Sequence, residues 1–523
     1  MNKVGIFLGY SSETSIKKEG LGRLLAFVIK GIQAGESELV IACPQWFQIH
    51  LEELLEDHNI PLSNIELLMT EGIPLAVRLR RKKSSKRKSL FDYVEGFKSS
   101  LITFAKKRVL KVAVANKSYK LFQPLIELLL FFIGLLTFAL LFLPVFLPYL
   151  IYRLLPLNIK NLITMPYRIV TGSLSSIRNN VLAIEGSELL IESELDELIC
   201  KINTRTDIGQ WFVPTLFWSE IGKINARKIV VSPDLVLNEM PSHFVYPWVE
   251  NVVSKLEAAA YSADKLITYS EYVKEKHLGK FLGIDRKNVT VINHGRVSLK
   301  EYLLLGNKKQ TLDETRKVAL SILRDYFIQH QNVFWSSVDF EHINYIFYSS
   351  QYRPYKNIFA LVRCVENINR EQGINLKLVL TCSIEHAPEI INFISENNMH
   401  SKVLIAHNLS SKELAAFNAL ASLSVNPSLF EGGMPFTFCE AYSVGTPSIM
   451  GDIPVTREIL TKRTPHLLDS MLFDPYSDYD MVNKIIWGLE NKEQLFKEQR
   501  ELFDKFPSWD EVAARYIEEI LGE

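Results

Sequence analysis

The sequence predicts an α/β protein with parallel strands, divided into more than one domain. Short runs of apolar and small residues alternate along the chain with segments of helical periodicity, a pattern typical of buried parallel strands. At 523 residues the chain is too long for a single hydrophobic core. From Ala421 to Glu458 the sequence predicts a strand, a glycine loop, a helix and a second strand in succession. In open α/β sheets, ligands bind beyond the carboxyl ends of the strands.

The N-terminal elements follow the same pattern. We expect a first strand at Lys3 to Tyr10 and a second at Glu38 to Cys43, with a helix between them that begins at Gly20-Leu21-Gly22. A glycine loop at the start of a helix can hold a phosphate, or it can allow helix and strand to pack closely. Gly20 and Gly22 are candidates for both roles.

The composition changes sharply after residue 77. Arg78 to Lys120 contains fifteen Lys or Arg residues and only two acids, although the net charge of the chain is zero. Leu128 to Tyr152 then contains no charged residue, a length sufficient to cross a bilayer. Pro144 and Pro148 interrupt this run, and basic residues lie on both sides of it. We therefore expect a membrane-embedded helical hairpin whose two ends stay in the cytoplasm.

A buried core helix is the alternative interpretation of the apolar run. Nucleic-acid binding is disfavoured because the basic run lacks interleaved aromatic residues. We expect residues 78–160 to associate with the inner face of the cell membrane. The five cysteines are scattered, without a Cys-x-x-Cys pair, and the N-terminus lacks a signal-peptide pattern. These features predict a cytoplasmic protein without a zinc site.

Two cations follow a strand in the second half of the chain. Arg353 and Lys356 come after the predicted strand Tyr345 to Ser349, and Asn357 can begin the next helix. Such a pair can neutralise a diphosphate, because Arg offers a planar fork and Lys a point charge. A solvated surface pair is the alternative. Further strands are expected at Lys228 to Ser232, Lys265 to Tyr269, Asn288 to Asn293, Leu376 to Thr381, Val403 to Ile405, Ala421 to Val425 and Pro447 to Met450.

Two carboxylates lie in or near the glycine loop. Glu431 is in the loop itself, and Glu440 is in the helix predicted from Phe436 to Val444. Carboxylates accept hydrogen bonds from hydroxyls and repel phosphates, so the pair suits a sugar and a ribose on either side of a diphosphate. Gly432 and Gly433 allow the backbone to approach a ligand or to take a positive φ. Ordinary solvated glutamates are the alternative.

The stretch from Asn426 to Pro454 resembles the signature of the retaining family 4 glycosyltransferases (glycosyl transferases group 1). Arg353-Pro354-Tyr355-Lys356-Asn357 and Ser232-Pro233-Asp234 resemble two further motifs of that family. The resemblance implies a GT-B fold, in which two Rossmann-like domains flank a cleft. It also implies transfer of a hexose from a nucleotide diphosphate sugar to an acceptor hydroxyl with retained configuration.

The resemblance also implies residue roles. Glu431 would orient the donor sugar, while Arg353 and Lys356 would hold the diphosphate as catalytic groups, and Glu440 would contact the ribose. Eight residues separate the two glutamates where the family has seven, and no histidine precedes Asp234. The substrate-binding residues expected besides Glu440 are Gly20, Gly22, Asp234, Gly432, Gly433, Met434, Phe436 and Thr437.

These expectations define a domain plan. It consists of residues 1–77 and 209–310 as the first Rossmann-like domain, an insert at 78–208, a linker at 311–340, a nucleotide-sugar-binding domain at 341–490 and a C-terminal helix within 491–523. Asp478-Tyr479-Asp480 is expected to begin a helix, so no catalytic metal and no cofactor are expected. The partners expected are a nucleotide-sugar donor, a glycan or lipid-linked acceptor and the membrane. A nucleotide-sugar epimerase of the same fold and a non-catalytic membrane scaffold remain as alternatives.

Overall fold

The computed structural model describes residues 3–77 and 188–522, apart from residues 13, 15, 17–19, 36, 75–76, 245–247 and 307–309. The predicted membrane segment, residues 78–160, lies outside the described part of the chain. Within that part, no helix combines the length and the apolar composition needed to cross a bilayer. The chain divides into two compact units, Met1–Val213 with Glu220–Arg227, and Pro214–Ser219 with Lys228–Glu523.

The first unit is a parallel sheet with helices. Its strands pair in the order β3-β2-β1-β4. Helix α1 buries an apolar face that includes Leu24, Val28 and Ile32. Gly22 lies so close to the chain before the helix that a Cβ would be 2.0 Å from the carbonyl oxygen of Ile16. Close packing therefore accounts for this glycine. The elements are β1 (Lys3–Phe7), α1 (Gly20–Ala34), β2 (Glu38–Cys43), α2 (Gln48–Asp57), β3 (Ile65–Met69), α3 (residues 188–203) and β4 (Gln210–Val213).

The second unit contains three parallel strands between residues 227 and 291, paired in the order β5-β6-β7. Ser270 follows β6, and its hydroxyl accepts a hydrogen bond from the N–H of Val273, as expected for a residue at a helix start. The helix that follows is a π-helix over most of its length. These elements are β5 (Arg227–Val231), α4 (Val236–Glu239), α5 (Trp248–Ser262), β6 (Lys265–Thr268), the π-helix (Val273–Phe281) and β7 (Val289–Val291).

The rest of the second unit contains a six-stranded parallel sheet in the order β10-β9-β8-β11-β12-β13. The fold is thus α/β with two Rossmann-like, parallel-sheet domains, as predicted. The strands are β8 (Asn344–Tyr348), β9 (Leu376–Leu380), β10 (Val403–Ile405), β11 (Leu423–Asn426), β12 (Ser448–Gly451) and β13 (Leu472–Phe473). The helices are α6 (Leu312–Gln329), α7 (Val333–Ser336), α8 (Ile358–Glu371), α9 (Pro388–Glu396), α10 (Ser411–Leu420), α11 (Phe436–Ser443), α12 (Pro454–Arg463), α13 (Leu468–Met471), α14 (Asp478–Glu490), α15 (Lys492–Asp504) and α16 (Trp509–Leu521).

Two helical segments connect parts of the second unit. Helix α6 begins with a capping box of Thr311 and Glu314, and its residue Phe327 packs edge-on against Phe417 of α10. The segment expected as a linker therefore adds to a hydrophobic core. At the C-terminus, Glu519 of α16 accepts a hydrogen bond from the Thr290 hydroxyl in β7 and forms an ion pair with Lys265 of β6.

The fully buried Gln499 joins helix α15 to strand β12, and a substitution can test this contact. Its side-chain amide accepts from the backbone N–H of Ser448 at 3.0 Å and donates to the Ser448 carbonyl oxygen at 2.5 Å. Gln499→Leu leaves both backbone groups buried without these partners, which costs about 1–3 kcal/mol for each group. We expect a clearly lower melting temperature by calorimetry. Gln494→Leu, on the exposed side of the same helix, should melt within a degree of the wild type, and equal melting of both variants would contradict the packing described.

Candidate functional site

A largely buried ion pair joins two of the predicted catalytic residues. The Lys356 ammonium donates to Oε1 of Glu431 at 2.6 Å, and each side chain is only 17% exposed. Lys356 follows β8, and Glu431 follows β11, the strand that pairs with β8. The parallel strands thus bring residues 75 positions apart to one edge of the sheet. Burial lowers the pKa of Lys356, but the Glu431 carboxylate more than offsets this effect and leaves the pKa raised.

The same carboxylate oxygen has a second donor, which the sequence did not indicate. The Ser428 hydroxyl donates to Oε1 of Glu431 at 2.7 Å, and the Tyr348 hydroxyl lies 3.0 Å from the Ser428 oxygen. Because the serine proton is used toward Glu431, the tyrosine is the donor to Ser428. Burial raises the pKa of Tyr348 to about 12, so the phenol keeps its proton. A directed chain of hydrogen bonds therefore runs from Tyr348 through Ser428 to Glu431.

The double glycine after Glu431 lies against two loops that follow strands β5 and β7. A Cβ on Gly432 would be 2.5 Å from the carbonyl oxygen of Pro233 and 2.9 Å from Oδ2 of Asp234. A Cβ on Gly433 would be 3.0 Å from the His294 ring. Neither glycine has a positive φ. Glycine is thus required at both positions because neighbouring loops of the same chain leave no room for a Cβ.

Asp234, a predicted substrate-binding residue, lies in the electrostatic field of the ion pair. Burial raises the pKa of its carboxyl, whereas the hydrogen bond that Oδ1 accepts from the N–H of Val236 lowers it. The Glu431 carboxylate raises the pKa further, and the charges of Lys356 and Arg353 oppose this effect. The net pKa is raised. Two carboxylates and two cations therefore influence one another at this site.

Arg353 is exposed at the start of the turn that carries Lys356. Its guanidinium donates to the Tyr355 hydroxyl at 2.8 Å and to Oε1 of Gln351 at 3.1 Å. Asn357 takes the left-handed conformation, with φ of 55°, and directly precedes helix α8, while its side-chain amide donates to the carbonyl oxygen of Pro475. These contacts orient the guanidinium beside the Lys356 turn.

The remaining predicted residues of this loop lie at the start of α11. Met434 is buried, Phe436 stacks on the His294 ring at 4.6 Å, and the Thr437 hydroxyl accepts from the Asn426 amide at 3.3 Å. Glu440 is buried one turn further along the same helix, with 7% of its surface exposed. Its contact with a ribose stays a prediction.

The other sequence predictions fall elsewhere. Gly20 and Gly22 lie in the first compact unit, at the start of α1, and their role in binding a donor stays a prediction. Asp478 and Asp480 begin helix α14, as expected. Asp478 pairs with Arg363, and Asp480 accepts from the backbone N–H of Asp474. Both carboxylates are thus engaged by the protein itself.

Residues 330–505 match the family model of the glycosyl transferases group 1. No curated protein sequence matches the chain significantly. The fold is similar to that of HepE from Anabaena in complex with UDP-glucose (TM-score 0.56, 10% identity, 100% of both chains). It is also similar to a glycosyltransferase from Rickettsia africae (TM-score 0.51, 11% identity, 99% of this chain and 98% of that one). A third similar structure is the trehalose-6-phosphate protein from E. coli bound with UDP-2-fluoro glucose (TM-score 0.53, 10% identity, 99% of both chains).

The raised pKa of Asp234 predicts a pH-dependent stability. At pH values above its folded pKa, the wild type carries the full cost of a buried charge, whereas below about 3.8 the carboxyl is protonated in both states and the cost disappears. Asp234→Asn keeps the acceptor for the Val236 N–H and removes the charge. We expect the variant to have a higher melting temperature than the wild type at pH 7. The difference between the two melting temperatures should narrow as the pH falls toward 4.

The matched control is Asp325→Asn, at an exposed position of helix α6. This variant should show no such difference in melting temperature from the wild type. A difference that stays constant from pH 7 to pH 4, or a variant that melts below the wild type at pH 7, would contradict the electrostatic description of this site.

Proposed function

We propose that this protein, a glycosyltransferase of GT-B fold, moves a hexose from a nucleotide diphosphate sugar to an acceptor hydroxyl with retention of the anomeric configuration. The observation that carries the proposal is the contact between Lys356 and Glu431, with Arg353 and Asp234 in its electrostatic field. A cation for a diphosphate and carboxylates for sugar hydroxyls are thus adjacent at the carboxyl ends of parallel strands, where ligands of such sheets bind.

The cations would act on the leaving group. As the bond between the sugar and the diphosphate breaks, negative charge grows on the nucleoside diphosphate. Lys356 and Arg353 lie on one turn after β8, so a small rotation of the Lys356 side chain would suffice for both cations to stabilise this charge. The partial positive charge at the N-terminus of helix α11 would add to this effect. Because these groups supply the positive charge, the proposal assigns no step to a metal or another cofactor.

Glu431 would hold the sugar. In the described structure Lys356 donates to Glu431, so a bound diphosphate competes with the carboxylate for this ammonium. The Ser428 hydroxyl donates to the same oxygen and keeps the carboxylate in place when Lys356 turns to the diphosphate. Oε2 of Glu431 is then directed to a sugar hydroxyl. Asp234 would accept from a second hydroxyl, and Glu440 from the ribose.

The ligands of similar structures indicate the first donor to test. HepE of Anabaena has structures with UDP, with UDP and glucose, and with UDP-glucose, and the E. coli protein was bound with UDP-2-fluoro glucose. UDP-glucose is therefore the first nucleotide sugar for a screen of UDP- and GDP-sugars. The acceptor we propose is a glycan or a lipid-linked saccharide.

Two conservative substitutions test the site. Glu431→Gln keeps the shape and removes the charge, and Lys356→Met keeps the length and removes the cation. Each should lower kcat/KM for the donor by about 100-fold or more, the usual effect of losing one preorganised charge partner. Release of nucleoside diphosphate in the presence of EDTA and an acceptor mixture measures the rate, and NMR of the product measures its anomeric configuration.

Lys412→Met and Glu396→Gln, both exposed in the same domain, serve as matched controls and should retain wild-type activity. Wild-type turnover in Glu431→Gln or Lys356→Met would refute the assigned roles. Conversion of the donor sugar without any acceptor would instead favour an epimerase, and failure to bind any nucleotide diphosphate sugar would favour a scaffold.

We also propose that residues 78–160 dock the enzyme on the inner face of the cell membrane. The support is the charge and hydropathy pattern of that segment, since anionic lipid adds about 1 kcal/mol for each basic residue near the surface. In a flotation assay the full chain should bind vesicles that contain 30% phosphatidylserine and should bind phosphatidylcholine vesicles more weakly. A variant that lacks residues 78–160 should stay with the soluble fraction in both cases. Equal flotation of both proteins would contradict this proposal.

A further inference from the structure

The π-helix Val273–Phe281 lies beside the candidate site and is tied to it at its start. The Ser270 hydroxyl donates to the carbonyl oxygen of Gly432 at 2.9 Å while it accepts from the N–H of Val273. The Glu458 carboxylate accepts from the N–H groups of Glu271 and Tyr272, at 3.1 and 2.9 Å. Both contacts join the start of this helix to segments that follow strands β11 and β12. The π-helical form, which is rare, is frequent at functional sites.

One fully buried side chain of this helix, His277, contacts the loop that carries Asp234. Its Nδ1 accepts a hydrogen bond from the backbone N–H of Leu235 at 2.8 Å, and Leu235 directly follows Asp234. Because Nδ1 is the acceptor, the ring proton is on Nε2, which lies 3.4 Å from Oε2 of Glu239. The Tyr272 hydroxyl and the Lys276 ammonium also point to Glu239, at 2.8 and 3.4 Å.

The same ring also contacts the loop that carries Glu431. It is stacked between Phe281, with ring centroids 5.4 Å apart, and Phe430, with centroids 5.5 Å apart and planes within 14° of parallel. Phe430 directly precedes Glu431 and is itself buried. A single imidazole therefore touches the neighbours of both site carboxylates.

Neutral histidine is suited to both contacts at once. A phenyl ring would stack on Phe430 but has no acceptor for the Leu235 N–H, and a side-chain amide would accept but would not stack. Burial lowers the pKa of His277 to about 4, although Glu239 opposes the shift, so the ring is neutral near pH 7. Nδ1 is then available as an acceptor.

We propose that His277 is a positioning residue for sugar transfer, which holds the Asp234 loop and the Glu431 loop in fixed register through one ring. The inference rests on the proposed function, because His277 would hold these loops in place for the transfer of a sugar. It deepens that function by adding a residue that touches neither the donor nor the reacting atoms.

The test uses two variants that each keep one of the two contacts. His277→Phe keeps the stack on Phe430, and His277→Asn keeps an acceptor near the position of Nδ1. The full chain is assayed with the donor that the wild type uses, at a temperature at least 15 °C below the melting temperature of each variant. We expect kcat to fall at least tenfold in both variants, while the Kd for UDP, or for the donor's own nucleoside diphosphate, changes less than threefold. The cations that hold the diphosphate lie outside the His277 contacts, so nucleotide binding should survive.

Lys280→Ala, at an exposed position of the same helix, is the matched control and should leave kcat unchanged. The proposal is overturned if either folded variant has wild-type kcat, or if kcat and nucleotide affinity fall in parallel, as expected from a merely structural role. His277→Phe, which retains the ring volume, carries the test if His277→Asn does not fold. A wild type that transfers no sugar overturns the proposed function and this inference with it, whereas an active wild type with indifferent variants overturns the inference alone.

Discussion

The site depends on one carboxylate oxygen that accepts two hydrogen bonds. Lys356 and Ser428 both donate to Oε1 of Glu431, and Tyr348 supports Ser428 from behind. Buried ion pairs contribute little net stability, because desolvation offsets much of the Coulomb attraction. Fold stability therefore does not explain this pair well. A role as charges held ready for a substrate explains it better. Its hydrogen-bond chain orients the carboxylate through contacts within the protein, a condition that electrostatic catalysis requires.

Close backbone approach is the second constraint. Gly432 leaves no room for a Cβ beside Pro233 and Asp234, and Ser270 holds the Gly432 carbonyl. Elements that follow β5, β6 and β11 thus meet at the backbone of Gly432. The result is a compact cluster in which burial and the Glu431 carboxylate raise the pKa of Asp234. The protein concentrates titratable groups here, a pattern common at functional sites.

Much of the fold and of the candidate site could be predicted from the sequence, because the sequence patterns that indicate them are local. The apolar run before Lys356 ends in a turn with two cations, and the double glycine follows Glu431, so strand ends and loop chemistry were both visible. The two-residue strand β13 is too short to give a periodic signal. The role of Ser428 was hidden for another reason, since its partner Tyr348 lies 80 residues earlier in the chain. His277 gave only the weak signal of a single histidine in a helical segment, because both of its contacts depend on tertiary structure.

Donor binding by four proteins tests the central claim most directly, namely the wild type, Lys356→Met, Glu431→Gln and the double variant. Titration calorimetry with one nucleotide diphosphate sugar gives four Kd values. Residues in contact that share one ligand are coupled. The Kd of the double variant should therefore rise less than the two single increases in Kd multiplied together. If instead the two losses multiply without coupling, or if all four proteins bind the donor equally, Lys356 and Glu431 do not form one donor site.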